Sequence, residues 1–132
     1  MARDILALIA FVDSRQRTPH AIGREANDCV GFCLAAVEAQ TGVKVAPTIR
    51  WSTAKGIAAL LKRYGSLEAA FDAHFKRIPP AFANRGDIAG VPDEQFGIHP
   101  MIVEGATLVG PAENGSRRMK RSAMTAAWSI DE

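Results

Sequence analysis

The stretch Asn27-Asp28-Cys29-Val30-Gly31-Phe32 decides how this chain is read. Asn and Asp are favoured just ahead of a helix, where a short amide or carboxylate accepts from the unpaired N–H groups of the first turn. Behind them Val30, Cys33, Leu34 and Val37 recur at i, i+3, i+4 and i+7, which predicts an amphipathic helix. Gly42 is its natural stop. Cys29 falls in the first turn, where open N–H groups and the helix dipole favour negative charge. That placement lowers a thiol's pKa, and the thiolate is the nucleophile. Cys33, one turn further on, reads as core.

Toward the N-terminus, Ile5, Leu6, Leu8, Ile9, Phe11 and Val12 predict a first helix over about 2–15, closed by Pro19 and Gly23. Toward the C-terminus, Ser52 or Thr53 caps a third helix that buries Ile57, Leu60 and Leu61 and stops at Gly65. A fourth restarts at Ser66 and runs to about Phe75, and Pro79-Pro80 ends the helical part. Strands are then predicted over 87–91, 96–103 and 106–109, with Gly105 in a turn. Asn114-Gly115 is a hairpin signal, 117–121 reads as a short strand, and 122–128 as a short closing helix. Helices first and antiparallel strands after make an α+β domain over 1–132, with a helical half at about 1–78 and a sheet half at about 84–132.

Composition bounds the function. A chain of 132 residues, 48% apolar and 23% charged, can build one core and is neither disordered nor a coiled-coil rod. Sixteen Lys and Arg against 14 Asp and Glu give +2, which argues against a nucleic-acid partner. Two cysteines make no disulfide framework. The longest apolar run, 5–12, is far short of the roughly 18–20 residues a membrane helix needs, so no membrane insertion is expected. It also lacks a secretory cleavage pattern, which places the chain in the cytosol or on another export route.

The cysteine box, with Pro19 and Gly23 upstream, resembles the nucleophile region of the NlpC-type cell-wall cysteine peptidases, compact papain-like enzymes. Gly86-Asp87-Ile88 resembles that family's Gly-Asp strand. His99-Pro100-Met101-Ile102-Val103-Glu104-Gly105 resembles its histidine strand and glycine turn. The likeness covers about residues 18–110. Together with the N-terminal helix, Arg85-Gly86-Asp87 and the closing Ala126-Ala127-Trp128, the layout resembles a small group of phage and prophage proteins often encoded among tail genes.

The resemblance implies an α+β papain-like fold and hydrolysis of an amide bond in peptidoglycan stem peptides. Cys29 would attack and His99 would act as base, then acid. The backbone N–H of Cys29 would help bind the oxyanion, and His20 and Asp28 would line the substrate site. No cofactor is implied. The expected partners are a peptidoglycan peptide and phage tail or tail-tip proteins. The expected setting is the bacterial cytoplasm during assembly, then the tail of a virion or phage-like particle.

The sequence also departs from that pattern. The family's loop Tyr is His20, its Ser after the nucleophile is Val30, and Pro100 directly follows His99, tolerable only at a strand start or edge. The strand after His99 offers only Thr107 as an orienting group. Two further readings therefore stay open: a structural tail-tip protein of the same fold with a vestigial site, and a thiol acyltransferase. Cys29 and Cys33 at i, i+4 are not a usual zinc spacing, and no metal is expected. Arg117, Arg118, Lys120 and Arg121 read as a solvated edge, Asp87 as a structural turn residue, and Trp51 and Trp128 as core or interface anchors.

Overall fold

The computed structural model describes residues 3–131. Four helices precede and cover one sheet: α1 (Ile5–Ser14), α2 (Cys29–Thr41), α3 (Ala54–Tyr64) and α4 (Leu67–His74). Each starts on a side chain suited to it. Asp4 accepts from Ala7 N, Asp28 from Gly31 N, Thr53 from Gly56 N and Ser66 from Ala69 N, all within 2.7–3.1 Å. Gly42 closes α2 at φ 74°, a left-handed conformation that suits glycine. Ala2, where the sequence reading begins the first helix, lies outside the described residues.

The strands are β1 (Lys76–Ile78), β2 (Ile88–Asp93), β3 (Gly97–Val103), β4 (Thr107–Ala112), β5 (Gly115–Lys120) and β6 (Ala126–Ser129). They form one antiparallel sheet in the order β1-β6-β2-β3-β4-β5.

Two sequence expectations fail here. Residues 122–128 are not a helix: a 3-10 turn, Arg121–Ala123, leads into β6, which sits between β1 and β2. Ala126 and Trp128 face one layer and Ala127 the other, so this short run is buried on both sides and shows no clean period. The helical half does not extend to 78, because β1 occupies Lys76–Ile78 and pairs with β6. Three residues, two of them charged and exposed, give too little pattern to read as a strand.

Alternate residues of the sheet serve two layers. Ile88, Ile98, Ile102, Val109 and Trp128 pack with Phe32, Cys33 and Val37 of α2 and with Leu8 of α1. Ala89, Val91, Met101, Val103, Leu108 and Ala127 form a second cluster with Met124 on the opposite face. Burial of this kind contributes roughly 1.5–3 kcal/mol for each large side chain.

Helix α2 lies along β3 with a defined direction. Near its C-terminal end the buried Gln40 donates through Nε2 to Gly86 O at 3.1 Å, and Gly86 N in turn donates to Val103 O. The first turn of α2 therefore lies at the other end of β3, by Ile98.

Candidate active site

Cys29 opens α2 and is half-buried. Its support is a tight polar knot. The buried Asp28 accepts from Gly31 N at 2.7 Å through Oδ1, and from Gly23 N at 2.8 Å and Trp51 Nε1 at 2.7 Å through Oδ2. Asn27 donates to Thr18 O and Pro19 O and accepts from Arg15. Arg24 is buried and donates to Ala46 O and Ile49 O at 2.7 and 2.8 Å, and also to Val45 O. These bonds hold the 18–27 loop and the 45–51 loop against the head of α2. Gly31 is needed because a Cβ there would lie 2.7 Å from Arg24 O and 3.0 Å from Gly23 O, both backbone atoms.

Asp28 is thus a cap and a brace. Its two carboxylate oxygens accept three hydrogen bonds from the backbone and the Trp51 indole. The link from Trp51 to Asp28 and the carbonyl clamp of Arg24 were missed by the sequence reading. Only a buried Arg would have signalled the clamp, and burial is invisible without the fold. His20 lies exposed on the loop before Gly23, its N–H donating to Glu113 O at 3.2 Å.

His99 lies near the start of β3 and is half-buried. It pairs with Val91 across an unbroken β2–β3 register, and Val91 belongs to the cluster on the face away from α2. Its neighbours at i+2 and i+4, Met101 and Val103, belong there too. Successive strand side chains point to opposite faces, so a one-residue offset exchanges the two. The residue that β3 turns toward α2 at this end is Ile98, 3% exposed and packed in the α2 cluster. Asp93 acts electrostatically on both Cys29 and His99, and His20 of the loop before α2 acts on His99 as well. Among the described residues no hydrogen bond joins Cys29 to an imidazole, and His99 Nε2 is buried with no partner.

Burial pushes the Cys29 thiol up to about 12, and the Asp28 carboxylate pushes the same way. The backbone N–H groups of Val30 and Cys29 pull it down, and Asp93 raises it again. The dipole argument placed the sulfur correctly in the first turn, but desolvation and two carboxylates outweigh the helix. His99 is lowered from its ordinary value by burial first, then by the Arg117 charge, with Asp93 opposing and His20 lowering it further. Thr107 donates to Glu104 Oε1 at 2.7 Å and orients no imidazole. Pro100 sits mid-strand and not at an edge. It is accommodated because the β3–β4 ladder pairs only Ile102 and Val103 and does not reach it.

Among the described residues no cluster of three or more His, Cys, Asp or Glu could hold a metal ion, and no helix is long and apolar enough to cross a membrane.

A family model described as a domain of unknown function, DUF6950, matches residues 4–130. The chain belongs to that family. Among solved structures it is similar to the NlpC/p60 domain of the peptidoglycan hydrolase SagA, at 18% identity and a TM-score of 0.59, over 96% of this chain and 98% of that one. This DUF6950 chain therefore has the α+β NlpC/p60 fold expected from the cysteine box. No curated protein matches it.

Proposed function

We propose that this DUF6950 domain is a catalytically silent version of the NlpC/p60 fold, serving as a structural component of a phage tail or phage-like particle. The single observation that supports the loss of catalysis is that, among the described residues, no imidazole is hydrogen-bonded to Cys29 while His99 Nε2 is buried with no partner. A cysteine hydrolase needs a base engaged with its sulfur, and burial and Asp28 hold this thiol in its neutral form. The tail setting rests on the sequence layout that resembles tail-encoded phage proteins. On this reading the chain is made in the bacterial cytoplasm and joins tail-tip proteins during assembly.

The test has two parts. Purified chain and a Cys29→Ala variant are incubated with peptidoglycan stem-peptide fragments, and new termini are measured by mass spectrometry. No Cys29-dependent product is expected, and its formation sinks the silent reading. In the producing strain, loss of the gene should impair particle assembly or infectivity, and Cys29→Ala should restore it fully.

A second reading keeps hydrolysis of a peptidoglycan amide with Cys29 as nucleophile. It is favoured by one feature, the Val30 and Cys29 N–H groups that stabilise the thiolate at the helix head. Its base would be His99 or, on the adjoining loop, His20. Stem-peptide cleavage that depends on Cys29 and on one of these histidines would select it.

A further inference from the structure

The hairpin that joins β2 to β3 holds a carboxylate at its mouth. β2 ends at Asp93, β3 begins at Gly97, and Glu94, Gln95 and Phe96 make the turn. The half-buried Asp93 accepts from Phe96 N at 2.9 Å through Oδ2, which fixes its side chain. Its Oδ1 accepts no hydrogen bond among the described residues.

Asp93 and His99 share one side of this hairpin. His99 is the ladder partner of Val91, and Asp93 stands two residues beyond Val91 on the same strand. Diagonal neighbours of this kind lie about 7–8 Å apart, within reach of a carboxylate and an imidazole. Asp93, Val91, His99 and Gly97 are the four corners of one patch. Gly97 leaves its corner open, since a Cβ there would meet nothing within 4 Å.

Cys29 belongs to the same neighbourhood, because the Asp93 charge reaches both the thiol and the ring. Arg117 of β5 and His20 of the loop before α2 oppose protonation of His99, and Asp93 favours it. β4 offers no substitute, because Thr107 gives its hydroxyl to Glu104. His99 Nε2 is buried with no partner. A neutral imidazole carries one N–H and the imidazolium two. A ring that takes a proton from a thiol therefore needs an acceptor that it does not need while neutral.

We propose that Asp93 is the positioning residue for His99: its free carboxylate oxygen accepts an N–H of the imidazolium and holds the ring. The catalytic meaning of this bond rests on the hydrolase reading of Cys29 with His99 as base. The proton leaving Cys29 Sγ moves to one ring nitrogen, and the sulfur keeps the electron pair with which it attacks the amide carbon. The N–H of the other ring nitrogen is held by Asp93, which stays ionised, and the transferred proton then passes to the leaving amine. The same carboxylate opposes the thiolate, so Asp93 contributes through the imidazolium and not through the sulfur.

The test titrates the histidines of the full chain by NMR, with His99→Phe to identify the resonance. Asp93→Asn removes the charge and keeps an oxygen for Phe96 N, and Asp93→Ser does the same with a smaller group. Circular dichroism verifies that both fold. Each should make the His99 imidazolium about tenfold more acidic and abolish the downfield ring N–H proton that the parent shows in its acid form. Glu94→Gln removes an equal charge from the exposed turn and should keep that proton and nearly the parent's acidity. A purely structural Asp93 would move neither readout. Where stem peptides are cleaved, Asp93→Asn should lower kcat at least about tenfold with little change in KM. A full change in acidity without any cleavage upholds the Asp93–His99 bond and sinks the hydrolase reading instead. Unchanged acidity and an unchanged N–H proton in both folded variants, or an equal effect of Glu94→Gln, overturns the proposal with or without cleavage.

Discussion

His99 stands directly across the β2–β3 ladder from Val91, while Ile98 beside it packs in the cluster that holds α2. Cys29 heads α2 half-buried, and the Asp28 and Asp93 carboxylates both act on its thiol.

The first prediction concerns the thiol itself. Burial, with Asp28, pushes the thiol from an ordinary 9.0 up to about 12. That reduces the thiolate fraction at neutral pH about a thousandfold, partly offset because a more basic thiolate is a better nucleophile. Alkylation of Cys29 by iodoacetamide in a Cys33→Ser background should run about 30-fold slower than that of a free cysteine peptide. It should keep rising beyond pH 10 and ignore His99→Ala. Because the folded value lies above the unfolded one, the thiol's contribution to stability is complete below pH about 9. It is lost as pH climbs toward about 12, so Cys29→Ser should reduce the chain's sensitivity to alkali. A fast reaction near pH 6 that depends on His99 contradicts the geometry.

A second expectation follows from what occupies the facing position. Ile98→His places an imidazole on the α2 side of β3. Replacing a buried isoleucine in this way should cost about 1–3 kcal/mol in denaturant unfolding, because a polar ring enters an apolar layer. In exchange, alkylation of Cys29 at pH 7 should rise at least about tenfold, since an imidazolium beside a thiolate favours both charged forms. No acceleration in a folded Ile98→His chain would mean that β3 does not bring residue 98 to the sulfur.

The knot beneath Cys29 is a third target. Asp28→Ala strands three donors, the N–H groups of Gly23 and Gly31 and the indole of Trp51. Losing a helix cap and leaving buried donors unpaired should together cost about 2–4 kcal/mol. Gly31→Ala should cost about 1–3 kcal/mol by forcing the helix away from the Gly23–Arg24 backbone. Urea unfolding monitored by fluorescence measures both. If either variant is as stable as the parent, this contact does not hold the 18–27 loop on α2.

Much of this was legible in the sequence. The caps at Asp28, Thr53 and Ser66 and the stops at Gly42 and Gly65 are local chemistry, and local chemistry fixes helix ends. The Asn114-Gly115 signal located the β4–β5 hairpin, where Ala112 pairs with Gly115. The family likeness of the cysteine box led to the right fold. What failed needed three dimensions. The β6 run Ala126–Ser129 is a strand because β1 and β2 flank it, and nothing within four residues carries that information. The ionisation of Cys29 depends on burial by elements far away in sequence.

The last prediction concerns His99. Its Nε2 is buried without a partner, and burial and the Arg117 charge hold its pKa below the ordinary 6.5. The groups around it are Arg117 on β5, Asp93 at the end of β2 and His20 on the loop after α1, and only Asp93 favours the protonated ring. In the unfolded chain none of these neighbours is fixed, so the ring takes up its proton at a higher pH than in the fold. A group depressed in this way contributes stability that is present above the unfolded value and is lost as pH falls through the folded one. The fold should therefore weaken below pH about 6.5 as the unfolded chain gains a proton that the folded chain does not. His99→Phe keeps a ring of similar shape and removes the titration. Its unfolding midpoint should change less between pH 7 and pH 5 than the parent's, and NMR titration of the parent should place His99 below the ordinary imidazole value. Equal acid sensitivity in the two proteins would show that His99 titrates as freely in the fold as out of it.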